Sequence, residues 1–313
     1  MNTSTNPSTV NGLLRIKGSD AGKFLQGQLT CDIEQLDLNK ALPGAYCSPQ
    51  GRVRANFILL KQADDTFLML LPESQAAFLE QALSPFVAFF QCTLDNESSQ
   101  WSFCGLKGNK DSNELIPIDT SDLLTDSWEV STTGDILCIN LPGEYKRWLC
   151  ISQNPIDAIS QGYTELDDTD WLQQDLLQGL VWIDDNNRDK FLPHDLSMPA
   201  LGAVSFTKGC YVGQEIVARM QYRGKPKYLL ALLKTEVMQE NPQDKLIQLI
   251  DNKEQLKIGN TVSSLHLDDN RWLICASLKR ELLKQQEIQL LSGERSIFCS
   301  ILVPDLIKES IDT

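Results

Sequence analysis

The chain has 313 residues, 42% apolar and 22% charged, and its 28 basic against 42 acidic side chains give a formal charge of −14. That length accommodates one large domain or two of ordinary size, and the composition is that of a soluble globular protein. So acidic a surface repels nucleic acid over most of its area and leaves only a local basic patch to bind it. The nine cysteines are scattered, with no C-x-x-C and no zinc-spaced cluster, which predicts reduced thiols in a cytoplasmic protein. The opening M-N-T-S-T-N-P-S-T lacks the basic and apolar regions of a secretory signal, and the apolar runs fall short of the ~20 residues of a membrane span.

In chain order, residues 1 to 9 read as polar and disordered. L-L-R-I from Leu13 alternates as a short strand, and Ser19 is placed to cap a helix carrying Phe24, Leu25 and Leu29. Two strands follow, joined by S-P-Q-G at 48 to 51, a strong turn signal. T-F-L-M-L-L is a further strand before a helix from about Pro72, which Pro85 is expected to kink or end. Strands return over 91 to 108, a polar surface excursion spans 108 to 126, and strands near 136 to 141 and 147 to 152 precede a helix from about Pro155. D-D-T-D-W-L-Q-Q-D-L-L then predicts a capped helix. From Lys227 onward six strand-like runs recur at short intervals, as in a small antiparallel barrel. The mixed order of hairpins and helices gives an α+β fold class.

The most informative stretch is S-F-T-K-G-C-Y-V-G-Q-E-I-V-A-R-M-Q-Y-R-G-K-P-K-Y, residues 205 to 228. Gly209 and Gly213 bracket Cys210 and Tyr211, a pattern that suits a sharp turn allowing close backbone approach. A helix follows, with Ile216, Val217 and Met220 facing inward and Glu215 and Arg219 paired on the surface. Cys210 thus precedes a helix N-terminus and lies two residues from Lys208, features that favour a thiolate where the sulfur is reachable. A buried apolar cysteine is the competing reading. Lys208, Arg219, Arg223, Lys225 and Lys227 against Glu215 form the local basic patch, read either as a solvated face or as an anion site. His194, in F-L-P-H-D, is placed to border the same cleft, whereas His266 is expected on an exposed barrel loop. Two histidines make a Ser-His-Asp hydrolase a poor proposal.

K-G-C-Y-V-G-Q-E, followed by A-R and then Y-R-G-K-P-K, resembles the signature of the YgfZ family, folate-binding relatives of the glycine-cleavage T-protein. F-L-Q-G-Q-L-T-C-D resembles another element of that family. The resemblance implies a GcvT-like folate-binding domain over residues 1–223 and a C-terminal antiparallel β-barrel over 224–313. It implies tetrahydrofolate or a related folate as cofactor, with Trp171, Lys208 and Arg223 as binding residues. Cys210, with Tyr211 beside it, is implied as the reactive or cluster-contacting thiol of a protein that supports iron–sulfur cluster assembly or repair. Its implied partners are iron–sulfur enzymes or assembly proteins, with tRNA modification benefiting downstream.

Two positions depart from the family pattern. Asn11 stands where a second folate-contacting tryptophan is carried, and Ala55 and Asn56 stand where T-proteins carry an acidic pair. An amide accepts no proton at neutral pH, so Asn56 argues against aminomethyl transfer, and the chain is not expected to be a classical enzyme. The rival readings are a folate-dependent one-carbon transferase and an RNA-binding module built on the basic patch and the barrel.

Overall fold

The computed structural model describes residues 10–107, 127–143, 146–156, 164–165, 168–235, 248–250, 257–268, 271–292, 295–304 and 307–308. The excursion over 108 to 126 and most of the helix expected from Pro155 lie outside these residues. The chain divides into two compact units that interleave in sequence, residues 1–44 with 56–171 and residues 45–55 with 172–313.

Two sheets are built mainly of first-unit residues. One is built from β1 (Gly12–Lys17), β2 (Ala41–Cys47), β3 (Val53–Ala63), β4 (Thr66–Leu71) and β5 (Thr93–Asn96), in the order β2-β3-β4-β1-β5. β4, T-F-L-M-L-L, is buried at every position, so its apolar run is continuous instead of alternating. Helix α1 (Ala21–Gln28) buries Phe24 and Leu25. Asp20, not Ser19, occupies its N-cap, and the Asp20 carboxylate accepts from the Gln91 N–H at 2.9 Å, so the expected Ser19 cap is not formed. Helix α2 (Glu73–Val87) starts after Pro72 and contains Pro85, running two residues beyond it. Asn11 has a plain structural task here, its Oδ1 accepting the orphan N–H of Glu73 at 2.9 Å in the first turn of α2.

The second sheet comprises β6 (Ser102–Lys107), β7 (Val130–Thr133), β8 (Ile136–Leu141), β9 (Arg147–Ser152) and β10 (Thr164–Glu165), ordered β10-β6-β9-β8-β7. Its register sets Cys104 opposite Cys150 and Cys150 opposite Cys138, one row across three strands. Cys138 and Cys150 are joined as a disulfide with Cα atoms 4.2 Å apart. This corrects the expectation of reduced thiols throughout, because cross-strand register, invisible in the spacing of the two cysteines, brings them together.

In the second unit, β11 (Tyr228–Thr235), β12 (Gln248–Ile250), β13 (Lys257–Asp268), β14 (Arg271–Lys279), β15 (Glu287–Ser292) and β16 (Arg295–Leu302) form one antiparallel sheet, ordered β12-β13-β14-β11-β16-β15. Its two edge strands, β12 and β15, approach within 8 Å between Cα atoms, the curl of a barrel. Leu230 and Leu232 of β11 join a core with Phe191, Leu196 and Val217, while Leu229, Ala231 and Leu233 face a second core with Ile274 and Leu278. Alternate residues of one strand thus bury opposite faces. His266 is exposed but belongs to β13 and packs tilted against Trp272 with ring centroids 4.7 Å apart, so it is a strand residue and not a loop one.

Candidate functional site

Helix α4 (Gln214–Arg223) begins where the glycine-flanked motif predicts, with Gly213 at its N-cap and φ of +83°. A Cβ on Gly213 would lie 2.4 Å from the Ser48 carbonyl oxygen and 3.0 Å from the Gly51 Cα. The S-P-Q-G turn, closed by the Gly51 N–H donating to the Ser48 carbonyl at 2.8 Å, therefore seats against the G-C-Y-V-G turn. No side chain fits that approach, and a positive φ is itself a glycine conformation. Val217 is fully buried while Ile216 is 37% exposed, so Ile216 lies at the rim of the helix and not on its core face as expected.

Cys210 is exposed, unlike Cys31, Cys47, Cys104, Cys275 and Cys299, which are buried. Burial pushes the Cys47 thiol up to about 12, helped by the charge of Asp189, and the Cys299 thiol up to about 11, so both stay protonated. Beside Cys210, Tyr211 is buried with its hydroxyl unpartnered, and burial raises its pKa well above the ordinary phenol value, with Cys47 adding to the shift. Tyr211 is accordingly a neutral phenol and not a base. Lys208 is 8% exposed and sets its Nζ 5.4 Å from the centre of the Tyr211 ring, a cation–π contact that faces the ammonium inward. Arg223 is exposed in the last turn of α4, and Glu215 is exposed in its first.

Trp171 lies in the first unit on α3 (Asp168–Leu177) and is 1% exposed. Gly105 packs so closely on the indole that a Cβ there would meet Cε3 and Cζ3 at 2.7 Å, and the Arg147 guanidinium carbon lies 5.1 Å from the ring centre. A stacking wall for a folate ring needs an open face, and this indole has none, although its Nε1–H is unpartnered. Arg223, by contrast, is a reachable guanidinium, suited to pairing with a carboxylate. Among the described residues no group of three or more His, Cys, Asp or Glu is placed to hold a metal ion, and no helix is long and apolar enough to cross a membrane.

His194 is 3% exposed and lines a cavity of about 500 Å³ together with Phe206, Gln221, Lys225 and Arg280. Its Nε2 faces the Gln221 Oε1 at 3.2 Å, and its Nδ1 has no partner. Burial lowers its pKa, outweighing the opposing Gln221 contact, so the ring is neutral. Phe206 and Gln221 stand within the motif stretch yet carried no signal as cavity residues, and Arg280 lies over fifty residues downstream.

The profile of the GCVT N-terminal domain family matches residues 8–136. A tRNA-modifying protein YgfZ of Colwellia psychrerythraea is 30% identical over 273 residues, 86% of this chain and 83% of that protein. The YgfZ of Edwardsiella ictaluri is 28% identical over 297 residues, covering 90% and 86% of the two chains. The crystal structure of the glycine cleavage system aminomethyltransferase T from Bartonella henselae superposes with a TM-score of 0.66 at 14% identity, over 95% of this chain and 84% of that one. That structural likeness establishes the GcvT-like fold and says nothing by itself of activity.

Proposed function

This chain belongs to the YgfZ family, and from that premise we propose that it is an accessory protein of tRNA modification that binds folate and supports iron–sulfur cluster assembly or repair through Cys210. The observation that carries the reading is the exposure of Cys210 in a turn whose shape depends on Gly213. A reachable thiol supplies a nucleophile or one metal ligand. A cluster on it takes its remaining ligands from a client enzyme or an assembly protein, because four are needed. Those proteins, located with the chain in the cytoplasm, are the proposed partners.

Folate, when bound, supplies one-carbon chemistry. The residues proposed to hold it are Arg223 and Lys208, for its carboxylates, and Trp171. Arg223 is the best suited of the three, whereas Trp171 enters as a buried support and not as a stacking face. Ala55 and Asn56 provide no carboxylate to manage a folate amine, so the proposal is binding without aminomethyl transfer.

The test is complementation of a deletion strain by Cys210→Ala, reading tRNA thiolation and the activity of cluster enzymes. Loss of support at unchanged protein abundance is expected. Support equal to that of the parent removes the thiol from the function.

A further inference from the structure

The cavity beside His194 shares Lys225, Pro226 and Arg280 with a second one, of about 630 Å³. The described lining residues of this second cavity include five cations, Lys225, Lys227, Lys279, Arg280 and Lys284, and one carboxylate, Glu281. A chain of charge −14 concentrates five of its 28 cations here. They come from two segments fixed edge to edge, since Tyr228 pairs with Lys279 and the Arg280 N–H donates to the Lys227 carbonyl at 2.9 Å. A local concentration of positive charge on an otherwise acidic chain draws a polyanion.

Rings adjoin the cations. His194 and Phe206 have centroids 6.0 Å apart, Phe206 and Tyr222 meet edge to face at 6.1 Å, and Tyr222 is 68% exposed. Because the Gln221 Oε1 is an acceptor, His194 Nε2 donates to it, which sets the orientation of the ring in the cavity wall. A small inorganic anion has no use for the rings, and an acidic peptide has little use for them. A cationic groove with adjacent aromatic faces is the recurring arrangement for an unpaired nucleic-acid strand, phosphates on the cations and bases on the rings.

We propose that this groove of the second unit binds single-stranded RNA, with phosphates along Lys225, Lys227, Lys279, Arg280 and Lys284 and a base against Phe206 and Tyr222. The preference for RNA over DNA rests on the tRNA reading above, whereas the groove itself does not.

The experiment is fluorescence anisotropy of the full chain with a labelled single-stranded RNA dodecamer, as salt is raised from 50 to 200 mM. Five phosphate contacts predict a log–log salt slope of about −3.5 and so an affinity loss of about 100-fold. Joint Lys279→Glu and Lys284→Glu should reduce the slope to about −2. Tyr222→Ala should weaken binding about tenfold with little change of slope. Thermal melts establish that the variants are folded. Absence of binding at 50 mM salt, a slope unmoved by the charge reversals, or equal competition by polyglutamate each overturns the proposal, and tighter binding of the same sequence as DNA overturns the choice of RNA. The assay contains no folate and reads no cluster activity, so its failure is distinct from failure of the Cys210 reading.

Discussion

The surroundings of Trp171 in the first unit and of Cys210 in the second differ in the features that govern what a side chain does. Trp171 is sealed at 1% exposure against Gly105 and Arg147, whereas Cys210 is exposed beside a turn held by Gly213. A family resemblance assigns both to one function, but a sealed indole acts through packing and a reachable thiol through chemistry. Substitutions in the first place should therefore register in stability, and in the second in function.

The largest effect on stability belongs to the glycine that shapes the second region. Gly213→Ala combines a left-handed backbone with a Cβ 2.4 Å from the Ser48 carbonyl, and about 3 kcal/mol should be lost in urea unfolding, with Cys210 displaced. A loss below about 0.5 kcal/mol would mean that the turn accommodates a side chain. Gly105→Ala comes next, since its Cβ would meet the indole at 2.7 Å, and about 1–3 kcal/mol should be lost with a changed near-ultraviolet tryptophan signal.

A smaller effect concerns His194. Its folded pKa is depressed by burial, so the unfolded chain binds the extra proton first, and its contribution to stability falls as pH drops from the unfolded value towards the folded one. The parent should lose stability between pH 7 and 5 more steeply than His194→Gln, by at most about 1.4 kcal/mol per pH unit for one proton. Asp195, whose pKa is raised by burial, titrates in both proteins and cancels in the difference. Identical slopes would mean that the imidazole is hydrated. Cys210→Ala should shift stability least, within about 0.5 kcal/mol, while abolishing complementation, and a large loss of stability would mark the thiol as structural.

Much of this was legible in the chain. The six runs after Lys227 became the six strands of the second unit because each alternates or runs apolar between turn residues. S-P-Q-G and the helix after Gly213 were equally readable, their signals being local. What was missed depended on distant partners. Ser19 lost the cap to its neighbour Asp20, whose carboxylate then answered Gln91. The Cys138–Cys150 bond follows from register, and the convergence of Lys279 and Arg280 with Lys225 and Lys227 follows from β14 pairing with β11. The family motif marked Trp171 without revealing that its own unit covers it.

The central claim is that the turn ahead of α4 presents a reachable thiol. Brief alkylation of the native protein, mapped by mass spectrometry, tests it most directly. Cys210 should be modified ahead of every other cysteine, with the half-buried Cys92 next and Cys47, Cys275 and Cys299 labelled only on unfolding. Native protection of Cys210, or labelling of Cys47 before it, would contradict the account.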